Sequence, residues 1–207
     1  MNTNKSMLDQ IDGLASFRHS GTEQKEIPHL LRDRYRKNAL GWLGEDLAEQ
    51  ALWRNNFGKV ENLNRTRKHN YEFADILAER NGQTYFIGVK TRNEMQTGGI
   101  KINGSYNLVL INDAANNRLK SEGNTEIEIT KLLLQRVDDL AMMHNAVGAW
   151  VTVAVRPNEG TYAAYFGLVR TLGLKRSVPM TLKARACYDP PLVSWESDPR
   201  IVPDLSN

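Results

Sequence analysis

The sequence predicts an α/β fold in which a central mixed β-sheet is flanked by helices. Three observations carry this expectation. A long run with apolar residues at three- and four-residue intervals precedes two short apolar runs split by a polar turn. A second run of helical spacing precedes two further strand-like runs. The two kinds of run are mixed without strict alternation, which argues against a purely doubly wound parallel sheet.

The chain has 207 residues, enough for one domain with a sizeable core and too few for two large ones. A net charge of +3 permits a nucleic-acid partner without requiring one, since a basic patch says more than an even balance. Cys187 is the single cysteine, so no intramolecular disulfide can form. The first twenty residues lack the continuous apolar core of a secretory signal, and no stretch approaches the roughly 18 apolar residues of a membrane span. The expected location is the cytoplasm.

Residues 1–26 are polar, with a short amphipathic piece around Met7, Ile11 and Leu14, and are expected to form a mobile arm or a small accessory helix. From Pro28 the residues Leu30, Leu31, Tyr35, Leu40, Leu43, Leu47, Ala51 and Leu52 keep helical spacing. Gly41 and Gly44 each cost about 1 kcal/mol relative to alanine in a helix, so a split into two helices is expected, the second from Leu40 to Asn55. Lys59–Asn64 reads as a first short strand, and residues 65–70 as a basic polar loop. Phe73–Ala78 and Tyr85–Val89 read as a strand pair around the turn-forming Glu79–Gln83.

After a glycine-containing loop, Tyr106–Ile111 reads as a strand and Asn112–Asn124 as a polar surface loop. Ile129, Leu132, Leu133, Val137, Leu140 and Ala141 mark a helix over about Thr130–Asn145, with Gly148 placed to stop it. Trp150–Val155 and Tyr162–Val169 are strands joined by the hairpin signal Arg156-Pro157-Asn158-Glu159-Gly160. Residues 27–170 thus form the expected domain. Residues 171–207, basic and then rich in proline, read as an irregular C-terminal extension.

One stretch, Phe73–Arg92, holds the residues with chemical potential. Asp75 lies in its first strand and Lys90 closes its second. Phosphodiester hydrolysis draws on a positioned divalent ion, and magnesium or manganese prefers oxygen ligands from two carboxylates on different elements. Asp75 supplies one, Glu45 on the preceding helix a second, and Lys90 a positive charge for water or phosphate. Arg65, Arg67 and Lys68, with His69, form a basic cluster suited to a phosphate backbone, and Lys90, Arg92 and Lys101 extend it. A solvated loop is the plainer account of the same residues. The four histidines are scattered without zinc-ligand spacing, and the four tryptophans read as core or docking residues rather than stacking platforms.

Gly44-Glu45-x-x-Ala48, then Ala74-Asp75-Ile76-Leu77-Ala78, then Ile87-Gly88-Val89-Lys90 resembles the PD-(D/E)xK, or restriction-endonuclease-like, nuclease core. The spacing is most similar to its Holliday-junction-resolvase-type members. By motif the resemblance covers residues 40–92, and by element order it extends to about 170. It implies a fold of helix, three-stranded meander, helix and further strand. It implies DNA as substrate, Mg2+ or Mn2+ as cofactor, and a homodimer of the resolvase kind. Glu45 and Asp75 match the metal-binding acids, and Lys90 matches the lysine that assists the water. One position departs: the family carries Glu or Asp two residues before the lysine, and this chain has Gly88. On a strand, Gly88, Lys90 and Arg92 share a face that offers no side-chain oxygen. Three readings follow. A carboxylate from elsewhere, Glu49 or Glu72, replaces the missing acid; the enzyme works with two acids; or the fold serves as a non-catalytic nucleic-acid- or protein-binding domain.

Overall fold

The computed structural model describes residues 29–66, 73–93, 105–107, 113–172, 177–179 and 191–201. The chain divides into two compact units, Met1–Ala39 and Leu40–Asn207. The described part of the first is helical from His29 onward, and the expected N-terminal arm lies outside the described residues. All that follows concerns the second unit. Its fold is mixed α/β, as the pattern of the sequence predicts.

Helix α1 runs unbroken over His29–Arg54, so the expected split at Gly41 and Gly44 does not occur. Packing decides the matter. Leu43, Leu47, Ala51 and Leu52 are buried against the sheet, and this contact outweighs the propensity cost of two glycines. Gly44 is also a requirement of the interface. A Cβ there would lie 1.6 Å from Thr91 Oγ1 and 2.6 Å from Thr91 Cβ, so only glycine lets the helix approach the sheet this closely. The helix gives way at Asn55-Asn56, where Asn56 adopts φ 62°.

Strand β1 (Gly58–Asn62) leads into the single helical turn α2 (Leu63–Thr66). Strands β2 (Ile76–Arg80) and β3 (Gln83–Asn93) pair antiparallel around a two-residue turn, Asn81-Gly82, both at positive φ, which matches the right-handed twist of the strands. This turn is tighter than the five residues expected. Strand β4 is only Ser105–Asn107, and the rest of the strand expected there lies outside the described residues.

Helix α3 (Asp113–Ser121) replaces much of the expected loop over Asn112–Asn124. It has no apolar stripe to betray it. Its end is held by capping instead: Gly123 adopts φ 90°, and Asn124 donates both its backbone N–H (3.2 Å) and its side-chain amide (2.9 Å) to the Leu119 carbonyl. Helix α4 (Glu126–Met143) starts four residues before the expected Thr130, because Thr125 and Glu128 form a capping box. It stops at His144, with Asn145 at φ 50°. Gly148 does not stop it; that residue lies inside β5 (Ala146–Arg156), where a Cβ would come within 3.1 Å of Val137 Cγ1.

Strand β6 (Thr161–Leu168) returns from β5 through a 3₁₀ turn closed by Gly160 at φ 62°. The segment expected to be an irregular extension supplies two strands, β7 (Ser177–Pro179) and β8 (Val193–Ser197). β4 and β7 form a separate antiparallel pair. β8 becomes an edge of the main sheet, whose order is β1-β2-β3-β5-β6-β8. Its attachment is specific: Asn55 donates to the Leu192 carbonyl, Arg54 pairs with Glu196, and Arg156 lies 3.6 Å over the Trp195 ring.

Within the sheet only β3 and β5 are parallel. Side chains alternate between its faces with period two. Ile87, Val89, Val151 and Val153 pack under α1, and Phe86 and Trp150 pack under Val137 and Ala141 of α4. Among the described residues no helix is long and apolar enough to cross a membrane.

Candidate metal centre

The site forms where β2 and β3 part company. Their ladder ends at Ile76 and Ile87, but β3 continues to Asn93 alongside β5. Asp75 stands at this fork. Its backbone N–H donates to the Ile87 carbonyl (2.8 Å) and its carbonyl accepts the Leu63 N–H (2.8 Å). Its side-chain Oδ2 accepts the Val89 N–H at 2.7 Å. The carboxylate therefore takes the place of a backbone acceptor where β3 outruns its neighbour, and its second oxygen, Oδ1, faces Asn64.

Glu45 reaches the same point from α1, which the Gly44–Thr91 contact holds close to β3. Two asparagines receive it. Asn62 donates to Glu45 Oε2 at 3.2 Å, and Asn64 donates to Glu45 Oε1 at 3.2 Å. The same Asn64 nitrogen donates to Asp75 Oδ1 at 3.1 Å. One amide thus bridges two carboxylates from different elements. Asn62 is buried and fixed in orientation, because its Oδ1 accepts the Arg65 N–H (3.2 Å) as the cap of the α2 turn. An asparagine at the end of β1 and another within α2 are what local sequence supplies; neither carries a motif that would single it out.

Burial is the main cause of a raised pKa at both carboxyls. Glu45 is raised further by its repulsion with Asp75, and the amides of Asn64 and Asn62 and the charge of Arg65 oppose the rise. At Asp75 the opposing influences are the Val89 N–H, then the nearby Lys90 charge, then the Asn64 amide. The two acids thus feel each other, and Lys90 favours the ionised form of Asp75. Three of the sequence-nominated residues, Glu45, Asp75 and Lys90, share one electrostatic neighbourhood.

The remaining nominees divide. Glu49 does not join the pair; it lies 3.5 Å from Arg65, which also pairs with Asp46 on α1. Arg65 is thereby turned toward the helix rather than extended as a free phosphate grip. Arg92 is buried at 5% exposure. Glu72, Arg67, Lys68 and Lys101 lie outside the described residues. Gly88 is buried within β3 and brings no ligand.

The structure adds one group that no pattern along the chain singles out. Thr152 on β5 stands beside Lys90 in register, is fully buried, and has no hydrogen-bond partner for its hydroxyl among the described residues. Among the described residues no three His, Cys, Asp or Glu side chains gather as a metal-binding group. The donor set at the fork is two carboxylates and an amide. Compared with family models, curated proteins and solved structures, the chain matches none.

Proposed function

We propose that this protein is a divalent-cation-dependent nuclease acting on DNA phosphodiester bonds, with Glu45 and Asp75 as cation ligands and Lys90 as the residue that orients water. The observation that carries this reading is the convergence of Glu45 and Asp75, from a helix and a strand end, on the single nitrogen of Asn64. Two carboxylates held around one positively polarised donor form the arrangement that a hard cation stabilises. Magnesium is commonly held by one or two carboxylates and keeps several waters, so the donor set fits it. When bound, Mg2+ or Mn2+ would supply charge neutralisation at the phosphate and a more acidic water.

The chain's own residues do the rest. Asn62 fixes one oxygen of Glu45, and the Val89 N–H fixes one oxygen of Asp75, so the other oxygen of each is aimed at a common point. Lys90 offsets negative charge beside Asp75. Its ammonium is suited to hold water or a phosphate oxygen there. The decisive assay offers linear duplex, single-stranded and branched DNA with Mg2+ or Mn2+. Cleavage of at least one substrate is expected, and Asp75→Asn, which keeps an oxygen for the Val89 N–H, is expected to lower the rate by at least about 100-fold. Undiminished cleavage by that variant would refute the site.

A second reading rests on Gly88, which leaves the Lys90 face of β3 without a side-chain oxygen. It is a domain of the same architecture that binds nucleic acid or protein without cleaving. Binding of the three DNAs with no cleavage in either metal would favour it over the nuclease.

A further inference from the structure

The chain has glycine where the resembled nuclease core carries an acid, so the two-carboxylate centre lacks a third protein oxygen. At that centre the structure shows an asymmetry between the two asparagines. Asn62 is locked, because its oxygen accepts the Arg65 N–H while its nitrogen donates to Glu45. Asn64 is exposed, and only its nitrogen is engaged, with Glu45 Oε1 and Asp75 Oδ1. Its oxygen has no partner among the described residues. The two ends of an amide exchange places by a half-turn about a terminal torsion that is broad and soft.

Resting on the cation-site reading above, we infer that Asn64 stands in for the missing acid: without a cation its N–H2 bridges Glu45 and Asp75, and with one its Oδ1 turns in as the third protein ligand. The side chain then serves two states of one site. As a donor it relieves the repulsion between the two carboxylates. As an acceptor it completes a set of three oxygens from three places in the chain: α1, α2 and the residue before β2. An amide oxygen is an ordinary ligand for hard cations, so no change of chemistry is needed.

The probe is Mn2+ alone, titrated into the full chain and followed by the spectroscopic signal of the free ion. Folding of each variant is checked by circular dichroism. Asn64→Ala is expected to weaken Mn2+ binding by at least about tenfold. Asn64→Asp is expected to bind at least as tightly as the wild type. Without cation it is expected to melt at a lower temperature, because three carboxylates then gather, and to recover when Mn2+ is added. Equal affinity in the wild type and Asn64→Ala would overturn the role of Asn64 and leave the two-carboxylate site standing. Weaker binding by Asn64→Asp than by Asn64→Ala would also overturn it, since Asn64 would then act only as a donor. No Mn2+ binding by the wild type would instead defeat the cation site itself, and this inference with it.

Discussion

At the scale of single residues, Glu45 and Asp75 are in tension with the fold that holds them. Both carboxyls are raised by burial, and Glu45 also by its neighbour. A carboxyl raised in this way binds its proton more tightly when folded than when unfolded. The folded state therefore gains stability as pH falls toward the raised pKa and loses it as pH rises through that value. Without cation, acidification from about pH 7 to about pH 5 is expected to raise the melting temperature by a few degrees. Glu45→Gln removes one charge and the repulsion on the other, so its melting temperature is expected to change less over the same interval. A steeper dependence in the variant would contradict the assignment. Asp198 acts with the opposite sign. Arg200 holds it below the usual carboxylate range, so its contribution disappears at still lower pH.

At the scale of elements, two glycines in one helix have opposite roles. Gly44 lies against Thr91, whereas a Cβ added at Gly41 would meet no heavy atom within 4 Å. Gly41→Ala is expected to stabilise the protein by about 0.5–1 kcal/mol, through helix propensity and a less flexible unfolded chain. Gly44→Ala gains the same propensity yet is expected to lose roughly 1–3 kcal/mol net, by overpacking the contact with β3. Thr91→Ala should relieve the second variant only in part, since the Thr91 Cβ at 2.6 Å remains. Chemical denaturation of the two glycine variants, of Gly44→Ala combined with Thr91→Ala, and of the wild type measures these differences. Equal effects of the two glycine substitutions would mean that α1 does not depend on close approach. The same contact sets where Glu45 reaches, so Gly44→Ala should also weaken Mn2+ binding while Gly41→Ala leaves it unchanged.

At the scale of the whole molecule, the C-terminal segment is part of the sheet. Val193 and Ile201 are buried in the core under α1, and Arg200 joins Gln50 of that helix to Asp198. Ending the chain at residue 190 removes β8 and these contacts. The loss of two buried aliphatic side chains alone should lower the unfolding free energy by roughly 3–6 kcal/mol. A true appendage would leave it unchanged, and equilibrium denaturation separates the two outcomes. The truncation also bares β6 as a sheet edge with unpaired backbone groups, so association of the shortened chain is expected in light scattering.

The fold class, the strand pair β2–β3, the pair β5–β6 and the helix between them were legible because each is written in short-range periodicity: Ile87 and Val89 alternate with their neighbours, and Val137 and Ala141 lie one turn apart. Helix α3 was not, since its stability comes from end capping rather than an apolar stripe. The continuity of α1 and the place of β8 were not, since both depend on contacts with residues far away in sequence. Residue order alone put an acid and a lysine on neighbouring strands and a glutamate on the preceding helix. It took the folded arrangement to bring Glu45 and Asp75 together on Asn64, to turn Arg65 back onto α1, and to let β3 outrun β2 at Val89. The physical reason is one of range. Spacing along the chain sets which face a side chain takes, but a site is made where elements converge, and that is set by how closely Gly44 lets a helix lie on a sheet.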